Sequence, residues 1–251
     1  MKRKERHHLK ENELAQSLIA AREFVDTRKR QITGLVIVVV VLVVGVFGIT
    51  MFQRKSGAAA EQALADAMVT MNARVIPPSS TADQPGEVPA AATIGATGSY
   101  PSEAAKLTAA LPKLKAAADG YPDTASGITA RYHYASALAA LGKSDEATQA
   151  FDDVVKRAGA DTLYGRMSRL GKADTQMRGG QVDAAITTWK ELVASNDENL
   201  PKDAILMELG HAYVAKGNKA EATKTFTQLV DEHPTSPYIA EARMELESLK
   251  G

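Results

Sequence analysis

The chain has 251 residues, enough for one large or two small domains. Thirty Lys and Arg balance thirty Asp and Glu, whereas a dedicated nucleic-acid binder would carry a basic excess. There is no cysteine, which removes disulfide frameworks, thiolate zinc sites and cysteine nucleophiles together. Aromatic residues are scarce, Trp189 is the single tryptophan, and alanine is concentrated in 101–150, a composition that favours closely packed helices over β-sandwiches.

The zero net charge conceals an uneven distribution. Residues 1–31 hold nine Lys or Arg against five Asp or Glu, net +4, while 32–52 hold no charge and the remainder is net −4. In the tail, Leu14, Leu18, Ala21 and Val25 recur at helical spacing after Asn12, a good capping residue, and predict an amphipathic helix in a basic cytoplasmic segment, 1–31. That helix either leads into a span or lies on the inner leaflet.

Residues 32–52 read ITGLVIVVVVLVVGVFGITMF. At about 1.5 Å per residue, such a helix matches the hydrocarbon thickness of a bilayer. A cleaved signal peptide has a shorter apolar region, so the block predicts an uncleaved transmembrane helix in contact with lipid. Arg28, Lys29 and Arg30 abut its start, and the excess of positive charge on that side places the N-terminus in the cytoplasm and the body outside.

Beyond the span, 53–75 predicts a helix leaving the membrane, the first half of a broken repeat. Residues 76–100 contain four prolines and no Lys or Arg, and predict a flexible insertion. From 101 to 251 the chain repeats. Ala110, Ala147, Ala185 and Ala222 are separated by 37, 38 and 37 residues. Four residues after each stands a bulky apolar group: Leu114, Phe151, Trp189 and Phe226. Gly142, Gly180 and Gly217 precede the last three alanines, and Pro122 and Pro234 follow two of the bulky positions. This is the pattern of stacked helical hairpins: a helix ends at glycine, the second helix packs through Ala and a large residue, and proline stops it. The predicted fold is all-α, one transmembrane helix followed by an α-solenoid of three to four hairpins.

Leu209, Gly210, Tyr213, Ala222, Phe226 and Pro234 resemble the tetratricopeptide repeat signature in order and spacing. The units around Phe151 and Trp189 keep the second helix but depart in the first, with Tyr134-Ala135 in place of Leu-Gly and Leu170-Gly171 two residues out of register. In the first unit Pro112 lies inside the second helix. The whole arrangement, ending in FTQLVDEHPTSPYIAEARMEL, resembles the YfgM-like, ancillary SecYEG translocon subunit family. That resemblance implies a single-pass protein of a bacterial inner membrane with a periplasmic body, and translocon or periplasmic chaperone partners. The ending alone also resembles outer-membrane assembly lipoproteins and Tol-Pal coordinators, which lack this anchor.

No phosphate loop, His-x-x-x-His pair or serine elbow occurs, and His133, His211 and His233 fall in different hairpins. Asp152-Asp153 and Asp231-Glu232 are expected on solvated helix faces. The expectation is a non-enzymatic scaffold with protein partners and with no cofactor, metal, nucleic acid or small-molecule substrate. By the family register the partner-binding groove falls on Tyr132 and Ser136, Leu170 and Asp174, and Met207 and His211. The alternatives are a cytosolic adaptor of reversed topology, or an enzyme whose polar groups converge only in the fold.

Overall fold

The computed structural model describes residues 29–77, 98–195 and 197–251, with side chains in the first 27 of these positions limited to Val38 and 40–45. The predicted amphipathic tail helix and most of the 76–100 insertion lie outside the described residues. The chain divides into two compact units, 1–55 and 56–251.

Helix α1 runs from Lys29 to Met71 and contributes to both units. The described large side chains of its apolar block, Val38, Val40, Val41, Leu42, Val43 and Val44, are 53–64% exposed. Among the described residues no helix is long and apolar enough to cross a membrane. The expected span at 32–52 falls largely on side chains outside that set.

The predicted helix over 53–75 stops four residues early. Arg74–Val75 instead forms a short strand, β1, parallel to β2 at Ser99–Tyr100. Ile76 N–H donates to Tyr100 O at 2.9 Å and extends this clasp. Parallel pairing demands a connection of about a dozen residues or more, and the insertion supplies it.

Eight further helices follow among the described residues: α2 (Glu103–Gly120), α3 (Ala125–Ala140), α4 (Ser144–Ala158), α5 (Leu163–Arg178), α6 (Val182–Ala194), α7 (Lys202–Ala215), α8 (Lys219–Glu232) and α9 (Ile239–Ser248). Ser102, Thr124, Thr162 and Asn218 cap α2, α3, α5 and α8 by accepting the N–H three residues on. Three hairpins, α3–α4, α5–α6 and α7–α8, turn at Gly142, Gly180 and Gly217, whose φ values are +75°, +77° and +76°. At each turn the glycine N–H bonds back three residues and the next N–H bonds back five, as in Lys143 N to Leu138 O at 3.0 Å. This is the Schellman arrangement, and it closes the first helix of each pair in the same way.

A fourth hairpin comes from the last turns of α1 with α2. Ala67 is wholly buried with Leu107, Ala110 and Leu114, while Ala63 and Leu64 pack on Ala117, Ala118 and Ala130. The end of α1 therefore packs as the first half of the repeat that the insertion interrupts. Ala147, Ala185 and Ala222 are each 0% exposed, and Phe151, Trp189 and Phe226 lie buried one turn later. The largest core cluster joins α5 to α9 through Trp189, Leu206, Met207, Tyr213, Phe226 and Leu229.

Gly171 accounts for one departure from the repeat signature. Its backbone faces the Phe151 ring of the preceding hairpin, and an added Cβ would sit 2.8 Å from Cζ. Its place two residues out of register reflects a contact between hairpins instead of one within a hairpin. Polar links join the hairpins too: Lys172 to Asp152 at 2.7 Å, Gln181 to Asp145 at 2.6 Å, and Lys216 to Asp183.

Candidate functional site

The first helices of three successive hairpins, α3, α5 and α7, carry the predicted groove residues. Tyr132 on α3 is half-buried, with its ring 6.1 Å from Phe151 and 5.4 Å from Tyr164 on α5. It ties two hairpins together while presenting part of its ring. Ser136, one turn on, is half-buried. Leu170 is half-buried and packs on the large core, and Asp174 is exposed and ion-paired with Arg178 on its own helix.

Met207 departs from the expectation. It is 2% exposed and belongs to the core. Tyr132 and Met207 thus both take part in packing instead of projecting freely. The cause is stacking: neighbouring hairpins cover positions that an isolated helix would expose.

His211 is the groove residue with the most polar surroundings. Its Nε2 lies 3.7 Å from Glu241 Oε1 and 4.0 Å from Glu245 Oε1, both on α9. Its ring meets the Phe226 ring edge-on, with centroids 5.7 Å apart. Glu241 and Glu245 are not among the groove residues expected from sequence. A partial signal exists, since 34 residues, the usual tetratricopeptide length though less than the 37–38 of this chain's own spacing, separate Met207 from Glu241 and His211 from Glu245.

Electrostatics elsewhere are structural. Arg131 is 12% exposed, with Nη1 on Asp153 at 2.5 Å and Nη2 on Ala118 O at 2.9 Å, so it staples α2, α3 and α4. The Lys115 ammonium, hydrogen-bonded to Asp119, holds that carboxyl below the usual range. Burial pushes the His133 imidazole down and the Tyr213 phenol up. Asp152 pairs with Lys172 and Asp153 with Arg131 and Arg157, while Asp231 and Glu232 are exposed. None of these pairs lines a cleft as an acid and base would. Among the described residues no three His, Asp or Glu converge on a cation position. A cleft of about 540 Å³ lies on the turn side, between Gly142, Ser144, Asp145, Thr175, Arg178 and Gln181.

Residues 170–237 match a tetratricopeptide repeat family model, and residues 129–159 match a second. A comparison with curated proteins gives no match. Among solved structures, a putative kinesin light chain with nearly identical tetratricopeptide-like repeats from Podosopora anserina is 21% identical, with a TM-score of 0.49, covering 57% of this chain and 77% of that one. A tetratricopeptide repeat protein from Parabacteroides merdae is 18% identical, with a TM-score of 0.48, covering 58% of this chain and 54% of that one. With the buried Ala and aromatic positions and the three glycine turns, the two family matches make this a tetratricopeptide-repeat-containing chain, and such repeats indicate a scaffold for protein–protein interaction.

Proposed function

We propose that the chain is a membrane-anchored, non-enzymatic scaffold whose periplasmic repeats bind proteins at the face of their first helices, beside protein export or envelope assembly in a bacterial inner membrane. The observation that carries the anchor is the uncharged 32–52 block within α1, whose described valines are more than half exposed. These valines and Leu42 have no cover among the described residues, and lipid is the solvent they suit. The +4 tail before them favours a cytoplasmic N-terminus. Translocon or periplasmic chaperone partners come from the resemblance to the YfgM-like family.

The face of α3, α5 and α7 supports the binding reading because it mixes an aromatic ring, small polar groups and carboxylates, the chemistry of an adaptable protein interface. Ser136→Arg with Asp174→Lys should place bulk and charge there at little structural cost, since Ser136 is only half-buried and Asp174 is exposed. Crosslinking in native membranes should lose its partner bands in the double variant while the melting temperature holds. Unchanged bands would place the binding surface elsewhere. Protease added to spheroplasts should digest the 56–251 body; protection of the body would establish the reversed topology.

A further inference from the structure

The separations of His211 Nε2 from Glu241 and Glu245, 3.7 and 4.0 Å, exceed hydrogen-bond reach. A neutral imidazole therefore gains little from either carboxylate. A protonated one faces two opposite charges at contact range, in a site where all three side chains are only 32–50% exposed. Imidazole changes charge between about pH 5 and 8.

The surroundings isolate this pair of contacts. From α8 the neutral Phe226 ring abuts the imidazole. On α7 itself Glu208, one turn back, is exposed. On α6 the charged residues Asp183, Lys190 and Glu191 are exposed, and Asp183 is paired with Lys216. Helix α9 has one fully buried side chain, Ala242, with Ile239, Leu246 and Leu249 partly covered. The imidazole contact adds to this apolar anchorage of a ten-residue helix. The preceding segment is fixed by Ser236 Oγ donating to Asp203 Oδ2 at 2.8 Å.

We propose that His211 is a proton-operated latch that draws α9 onto α7 in acid and loosens it towards neutral pH, thereby regulating access to the C-terminal end of the binding face. The regulatory half rests on the first-helix face being the partner surface; the latch does not. In acid, His211, Glu241 and Glu245 satisfy one another and are withdrawn from a partner. At neutral pH the carboxylates are free to meet a basic group.

Hydrogen exchange on the full chain, corrected for intrinsic rates, tests the latch directly. Relative to His211→Gln, the amides of 239–248 should be protected about two- to five-fold more at pH 5.5, with no difference at pH 8, the range expected of exposed ion pairs. Glu241→Gln with Glu245→Gln should abolish the acid difference, and His233→Gln should keep it. The latch is overturned by equal protection in wild type and His211→Gln at pH 5.5, or by loss of the difference in His233→Gln. Partner crosslinking at both pH values tests the regulation separately: bands weaker in acid support it. Bands indifferent to pH, with the exchange difference present, overturn the regulation and leave the latch.

Discussion

The Phe226 ring lies directly on the bare backbone of Gly210, where an added Cβ would fall 2.3 Å from its Cε1. Phe226 is 0% exposed, so the ring has nowhere to retreat. Gly210→Ala should therefore cost about 1–3 kcal/mol through overpacking, and Phe226→Ala about 3–5 kcal/mol through the cavity it leaves. Urea denaturation of both variants checks the pair. A loss below about 1 kcal/mol in Phe226→Ala would contradict the packing.

The repeat body should fold from residue 56, not from residue 101. Cutting at 101 removes Ala63, Leu64 and Ala67 and uncovers Leu107, Leu114 and Ala130, all of which are buried. A 56–251 fragment should be helical and melt cooperatively. A 101–251 fragment should melt earlier and bind a hydrophobic dye. Equal melting temperatures would mean that α1 adds nothing to the stack.

The turn glycines hold a conformation that branched residues resist. Gly217→Val, at φ +76°, should destabilise by about 1–3 kcal/mol even though no atom lies within 4 Å of the new Cβ. Gly217→Asn should recover part of the loss, since Asn tolerates the left-handed region. Thermal melts of the two variants separate backbone strain from crowding.

Acid should weaken the fold through His133. Burial lowers its tendency to take a proton, so below about pH 6.5 the unfolded chain binds a proton that the folded chain refuses. The sign follows: stability rises with pH across the range between the folded and unfolded values and is reduced below it. Urea midpoints should fall from pH 7.5 to 5.5 in wild type and fall less in His133→Gln. An identical fall in the variant would assign the effect to another group.

Much of the fold is legible in the amino-acid order. Helix ends, the 37- and 38-residue spacing and the glycine turns depend on neighbours a few residues away, and Gly142, Gly180 and Gly217 stand at positive φ as the spacing requires. The Ala and aromatic positions are legible for a related reason. A helix buries residues on one face at fixed intervals, and Ala222 with Phe226 reads as such a pair in any helical hairpin.

The groove is less legible. The local pattern that marks Met207 as facing outward is the same one that marks His211, yet Met207 is 2% exposed and His211 is not buried. Local pattern carries the helical repeat, its turns, its packing residues and an uncharged block of bilayer length. Contacts between distant segments carry the rest: Ala67 packs on Leu107 and Leu114, β1 pairs with β2, and α9 brings Glu241 and Glu245 to His211. Periodicity and capping are settled within a turn or two of helix, whereas the cover over a side chain is supplied by a hairpin some 35 residues away.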